Sequence, residues 1–116
     1  MRILACGGRN YCDQDAIKKK LAELYERYPN STLVHGGAPG ADSWSGYIGG
    51  TLGFKVECHT AQWAKFGKAA GPMRNQEMLD SGVDLVVAFP GGRGTADMLD
   101  RARLAGVVIE EVSDRV

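Results

Sequence analysis

Short apolar runs alternate with amphipathic stretches along most of the chain. Ile3 to Cys6 is an apolar run closed by Gly7-Gly8, which predicts a buried strand. Residues 14 to 28 place Ile17, Leu21, Leu24 and Tyr28 at steps of three or four. That spacing predicts a helix, with Asp13 as its cap and Pro29-Asn30 as its stop. Ser31 to His35 is a second apolar run, again ended by a glycine pair, Gly36-Gly37. Ala41 to Leu52 predicts a second helix with Gly53 as its C-cap. Phe54 to His59 alternates and predicts a third strand, and Thr60 to Gly71 predicts a loop of about a dozen residues, a length that in compact domains is often functional. Pro72 suits the first turn of a helix running to Ser81. Val83 to Phe89 is a fourth strand, Thr95 to Ala105 a helix ended by Gly106, and Val107 to Val112 a fifth strand, with the last four residues frayed.

Strands that alternate with helices give a parallel sheet covered on both faces, here an α/β domain with five parallel strands. Right-handed crossovers favour a doubly wound sheet, whose ligand sits beyond the carboxyl ends of the strands at the switch in strand order. The glycine clusters follow strands one, two and four, at those ends. No repeat or linker divides residues 1 to 116, so the prediction is one domain.

Composition narrows the function. Fourteen basic and fourteen acidic side chains cancel, which argues against a protein that coats nucleic acid. Three cysteines, Cys6, Cys12 and Cys58, make a poor disulfide framework. The N-terminus is broken by glycines too early for a signal peptide, and no apolar run approaches the ~20 residues that span a bilayer. These features predict a reduced, cytoplasmic protein with no membrane partner.

The strongest chemical motif is Pro90-Gly91-Gly92-Arg93-Gly94-Thr95. Glycines let backbone approach a ligand closely, the following helix offers unpaired N–H groups to an anion, and Thr95 adds a hydroxyl. The segment Gly36-Gly37-Ala38-Pro39-Gly40-Ala41-Asp42 repeats the geometry. There Asp42 either binds a sugar hydroxyl or caps the helix. Gly8 and Arg9 form a third element, with a planar guanidinium suited to phosphate. A fourth runs from Lys68 to Arg74 and Asn75, where cations gather at a helix N-terminus against its dipole, a conflict that a nearby anion relieves. Trp63 and Phe66 flank that loop and either stack on a base or pin the loop to the body. Trp44 is a packing residue or a subunit contact.

No Walker A run and no dinucleotide G-x-G-x-x-G fingerprint is present. Cys6, His35, Cys58 and His59 fall near strand ends but alternate in facing, so neither a metal site nor a cofactor is predicted.

Taken together, Gly7-Gly8-Arg9, His35 to Asp42, Trp63, Gly67 to Asn75 and Ala88 to Met98 resemble the YspA-like, cpYpsA-related branch of the SLOG superfamily. The resemblance covers nearly the whole chain. It implies a Rossmann-like three-layer α/β/α fold and binding of nucleotide-derived signals, ADP-ribose derivatives prominent among them. It also implies a bacterial or phage-infected cytoplasm, often a setting of conflict or defence, and a dimer or larger homo-oligomer. The related LOG enzymes hydrolyse nucleotide N-glycosidic bonds with a Pro-Gly-Gly-x-Gly-Thr-x-x-Glu motif and an arginine on the preceding helix. Arg74 matches that arginine, but Met98 stands at the glutamate position. The resemblance therefore implies a binding module that senses or sequesters its ligand. The alternatives are a nucleotide N-glycosidase, in which Asp42, Asp97 and Arg74 are the candidate catalytic groups, and a nucleic-acid partner of the DprA kind, against which neutral charge counts.

Overall fold

In the computed structural model, which describes residues 1–113, five strands alternate with helical segments as expected, with one more α-helix than the four predicted because two follow β3 in succession. The strands are β1 (Arg2–Cys6), β2 (Thr32–His35), β3 (Lys55–Cys58), β4 (Leu85–Ala88) and β5 (Val108–Glu111). The helices are α1 (Gln14–Arg27), α2 (Ala41–Leu52), α3 (Trp63–Phe66), α4 (Ala70–Asp80) and α5 (Arg93–Leu104). All pairings are parallel, in the order β3-β2-β1-β4-β5. The order reverses at β1, which lies between β2 and β4, and this is the switch point where such folds open a crevice.

Period-two alternation sends the central strands' side chains to opposite faces. Ile3, Ala5, Leu33, Leu85 and Val87 meet Ile17, Leu21 and Leu24 of α1 and Ile48 of α2. Leu4, Val34, Val86 and Ala88 meet Met78 and Leu79 of α4 and Met98, Leu99 and Ala102 of α5. The result is a three-layer Rossmann-like sandwich. The edge strands β3 and β5 are largely exposed.

The helix punctuation follows the sequence. Asp13 accepts from the Ala16 N–H at 3.0 Å and caps α1. Gly53 takes the left-handed conformation (φ 113°) that closes α2.

Two boundaries differ from expectation. The expected loop at 60 to 71 is mostly helical, with α3, a 3-10 turn over Gly67–Ala69, and α4 already begun at Ala70. Pro72 is therefore third in its helix rather than first, a position where the missing N–H still costs no hydrogen bond. Helix α5 starts at Arg93, two residues before the expected Thr95, because Gly92 and not Gly94 forms the break. Of the expected fray at residues 113 to 116, all but Ser113 lies outside the described residues. No helix among the described residues is long and apolar enough to cross a membrane.

Candidate functional site

The loops after β1, β2 and β4 surround one cleft of about 1040 Å³, at the upper end of the ~300–1,000 Å³ usual for ligand pockets. They hold one another in place. The Gly8 N–H donates to the Pro90 carbonyl at 2.8 Å, and the Gly8 carbonyl accepts from the Ala41 N–H at 3.0 Å. Gly40, at φ 79°, lies against the Gly8 and Arg9 backbone with no room for a side chain. Gly91 is equally constrained, since a Cβ there would overlap the Thr95 hydroxyl and stand 2.7 Å from the Gly8 nitrogen.

The cleft gathers most of the residues singled out from sequence. Gly8, Arg9, Gly36, Asp42, Trp63, Lys68, Arg74, Asn75, Pro90, Gly91, Gly92, Arg93, Gly94 and Thr95 line it. Gly37 and Gly40 do not. Gly37 spends its N–H on His35 Nδ1 at 3.1 Å and has Cys58 Sγ beside it, so both glycines shape the loop rather than its open face. Trp63 forms part of the rim, while Phe66 lies off the cleft, beneath the Lys65 ammonium. Trp44 is half-buried against the core and meets the Tyr47 ring edge-on.

Sequence reasoning missed part of the wall. Tyr11, which stacks on Phe89 with ring centroids 5.7 Å apart, lines the cleft, as do Thr60, Ala61 and Met78. None stands in a glycine cluster, and only the tertiary approach of β1 and β4 brings Tyr11 to Phe89.

Asp42 is buried, and its Oδ2 accepts from the Gly36 N–H at 3.1 Å. It makes no capping bond to α2, so the helix-cap role is corrected. It pins the β2 loop instead. Burial pushes its carboxyl up to about 6, against the pull of Arg74 and the Gly36 and Ala38 N–H groups. Arg74 holds the other side of the same residue, donating from Nη1 to the Gly36 carbonyl at 2.6 Å and from Nε to Asn75 Oδ1 at 3.3 Å. Asn75 is buried and donates onward to the Gly94 carbonyl at 3.2 Å and to Asp97 Oδ2 at 2.9 Å. Asp97 also receives Arg101 Nε at 2.8 Å. Burial raises its carboxyl, but the bonds from Arg101 and Asn75 outweigh that and hold it below its ordinary value.

Asp97 lines the cleft, whereas Met98 is 1% exposed in the core beside Leu4 and Val86. The position that carries glutamate in LOG enzymes thus points into the sheet here, and the carboxylate at the cleft wall is one residue earlier.

The arginines divide by location. Among the described residues, every arginine away from the cleft is ion-paired: Arg2 with Glu57, Arg27 with Glu23 and Glu110, Arg101 with Asp97, and Arg103 with Asp100 and Glu111. The three that line it, Arg9, Arg74 and Arg93, have no carboxylate partner, and neither does Lys68. Helix α5 adds first-turn N–H groups that no side chain caps. Thr95, 9% exposed, directs a hydroxyl without a hydrogen-bond partner at Gly91.

The strand-end cysteines and histidines are separately engaged. Cys6 is buried, which pushes its thiol up to about 12, with Asp42 and Glu111 adding to the effect. That leaves it protonated and a poor nucleophile. His35 accepts at Nδ1, so its proton sits on Nε2, and burial lowers its pKa. His59 lies between Glu57, 2.6 Å from Nε2, and Glu77, 2.9 Å from Nδ1. Among the described residues no group of three or more His, Cys, Asp and Glu is placed to hold a metal ion.

The model of the YspA, cpYpsA-related SLOG family matches residues 1–66, the half that carries the Gly8-Arg9 and Gly36 to Asp42 loops. Gene 61 protein of Mycobacterium phage D29 is 37% identical over 122 residues, covering 98% of each chain.

Proposed function

The chain belongs to the YspA, cpYpsA-related SLOG family, and from that premise we propose that its cleft binds a phosphate-bearing, nucleotide-derived small molecule and senses or sequesters it. One observation carries the reading: among the described residues, the arginines of the cleft are the ones without an ion pair, while the others are paired within the fold. Three guanidinium groups without a carboxylate in ion-pair contact face one cavity, and an anionic ligand would supply the missing partner. The helix N-terminus and the Thr95 hydroxyl supply phosphate donors, and Trp63 on the rim offers a stacking face for a base. An ADP-ribose-type or cyclic nucleotide signal suits a cleft of this volume. The phage source of one relative fits sequestration of a host signal, which works by mass action and needs tight affinity.

A second reading, N-glycoside hydrolysis, draws on Asp97, an ionised carboxylate at the wall where the enzymes' glutamate is missing. Incubation with AMP, ADP-ribose, NAD and cyclic ADP-ribose isomers separates the two. A thermal shift with the ligand recovered intact by chromatography supports binding alone, and released base supports hydrolysis. No shift with any of these, well above micromolar, overturns the main reading.

A further inference from the structure

We propose that Asn75 is a positioning residue, a neutral spacer that holds Asp97 away from Arg74 and so leaves the Arg74 charge free for the ligand. The proposal rests on the phosphate-binding reading above.

The cleft wall carries a cation and an anion linked through one side chain. Arg74 of α4 and Asp97 of α5 both line it. Among the described residues, Asp97 forms its ion pair with Arg101, at 2.8 Å, and not with Arg74. Asn75 stands between the two. Its Oδ1 accepts from Arg74 Nε at 3.3 Å, and its Nδ2 donates to Asp97 Oδ2 at 2.9 Å and to the Gly94 carbonyl at 3.2 Å. The bond to Gly94 ties the spacer to the first turn of α5, so both helices set its place.

The position needs a carboxamide, which has a donor end and an acceptor end. The donor end faces two oxygens and the acceptor end faces an N–H. Turned over, it would set nitrogen against nitrogen and oxygen against two oxygens, so the network fixes its orientation. Both Nδ2 hydrogens are used, and the residue is buried. Asn75 therefore lines the cleft without an N–H to offer a phosphate. Aspartate would turn an acceptor toward two acceptors and place a negative charge on Arg74. The other fixed contact of Arg74, from Nη1 to the Gly36 carbonyl, is also to a neutral oxygen. Two neutral acceptors thus orient the guanidinium without cancelling its charge. A carboxylate in either place would compete with the phosphate of a ligand.

Calorimetric titration with AMP and ADP-ribose tests this. Asn75→Ala removes the spacer and should weaken binding about tenfold or more, as Arg74 turns to Asp97. In an Asp97→Asn background the same substitution should cost less than about threefold, because the competing carboxylate is gone. The exchanged pair, Asn75→Asp with Asp97→Asn, conserves shape and net charge but moves the anion beside Arg74. It should bind about tenfold or more weakly than the parent protein, and it carries the test if Asn75→Ala does not fold. A residue that only supports the fold, or one that touches the ligand itself, would lose the same affinity in both backgrounds. Equal losses therefore overturn the proposal, as does an exchanged pair that binds like the parent. A measurement without ligand separates this from the phosphate reading. The Arg74 Nε–H proton resonance should move downfield in Asn75→Ala, where it meets a carboxylate, and should not do so when Asp97→Asn is added. An Asn75→Ala resonance that does not move downfield overturns the proposal whether or not a probe binds. If the resonance behaves as expected and neither probe binds the parent protein, the charge separation stands and the phosphate reading falls.

Discussion

The Arg74 guanidinium occupies the space that a Cβ on Gly36 would fill, and the two residues are joined by the 2.6 Å bond from Nη1 to the Gly36 carbonyl. The glycine after β2 is thus a seat for an arginine carried by α4. Gly36→Ala should displace the guanidinium, at a cost of about 1–3 kcal/mol in folding stability for the overpacked contact. It should also weaken phosphate-ligand binding about tenfold or more. Chemical denaturation and calorimetry check the two effects separately. Unchanged affinity would show that Arg74 acts from elsewhere.

Gly92 and Gly94 behave oppositely. A Cβ at either position meets no protein atom, yet both line the cleft. Packing does not explain why they are glycine. Gly94 is the second residue of α5, where alanine should stabilise by up to about 1 kcal/mol. Gly92→Ala should change stability by less than about 1 kcal/mol. Both should lower ligand affinity, because the added methyl groups enter the space a phosphate would fill. A variant that folds better and binds worse is the signature to look for, read by thermal melts alongside titration.

The order of elements along the chain, the sheet covered on both faces and most cleft residues were legible because short-range patterns encode them. Apolar runs of three to seven residues mark the strands, and glycines at their carboxyl ends mark the loops. What escaped depended on tertiary contact. Helix α3 is too short to show a period, and its Trp63 and Phe66 read equally well as loop aromatics. The bond from the Gly36 N–H to Asp42 is set by the turn between them, and ion pairs such as Arg2 with Glu57 and Arg27 with Glu110 join residues many positions apart. The early start of α5 turned on whether Gly92 or Gly94 broke the chain, and glycine content alone does not decide that.

The raised carboxyl of Asp42 makes the protein less stable as pH rises. Its folded value, about 6, exceeds the ordinary 3.8, so the native state holds a proton that the unfolded chain has lost. Stability should fall between about pH 4 and pH 6 and then level off. Asp42→Asn keeps an acceptor for the Gly36 N–H and removes the buried charge. It should flatten that slope and stabilise the protein near neutral pH by a few kcal/mol at most, about 1.4 kcal/mol per unit of displacement. Denaturant midpoints from pH 4 to pH 8 report the slope. A slope that survives in the variant would place its origin in another group.

His59 governs a higher range. Burial lowers its pKa, but the bonds to Glu77 and Glu57 prevail and hold it above the ordinary 6.5. The stabilisation from the charged ring is complete below 6.5 and disappears as pH rises through the folded value. His59→Gln should remove the dependence above pH 6.5 and leave the Asp42 slope intact. Proton NMR of the ring, titrated in the folded protein, gives the value directly, and a midpoint below 6.5 would contradict the two-carboxylate clamp.

Met98 offers the sharpest test of what separates this chain from the hydrolases it resembles. Restoring a glutamate there looks, on sequence alone, like restoring an active site. The structure predicts a different outcome. Residue 98 is 1% exposed among Leu4, Val86 and Leu99, facing away from the cleft that Asp97 lines. Met98→Glu would bury a carboxylate with no partner, which either unfolds the protein or forces the group to stay protonated. A loss of about 3 kcal/mol or more is expected, with no hydrolysis of AMP or ADP-ribose in chromatographic assays at a temperature where the variant remains folded. Met98→Leu, which conserves volume, should cost less than about 1.5 kcal/mol. A Met98→Glu variant that folded normally and released base would mean that α5 can turn this position toward the cleft, and the assignment of Asp97 to the wall would have to be abandoned.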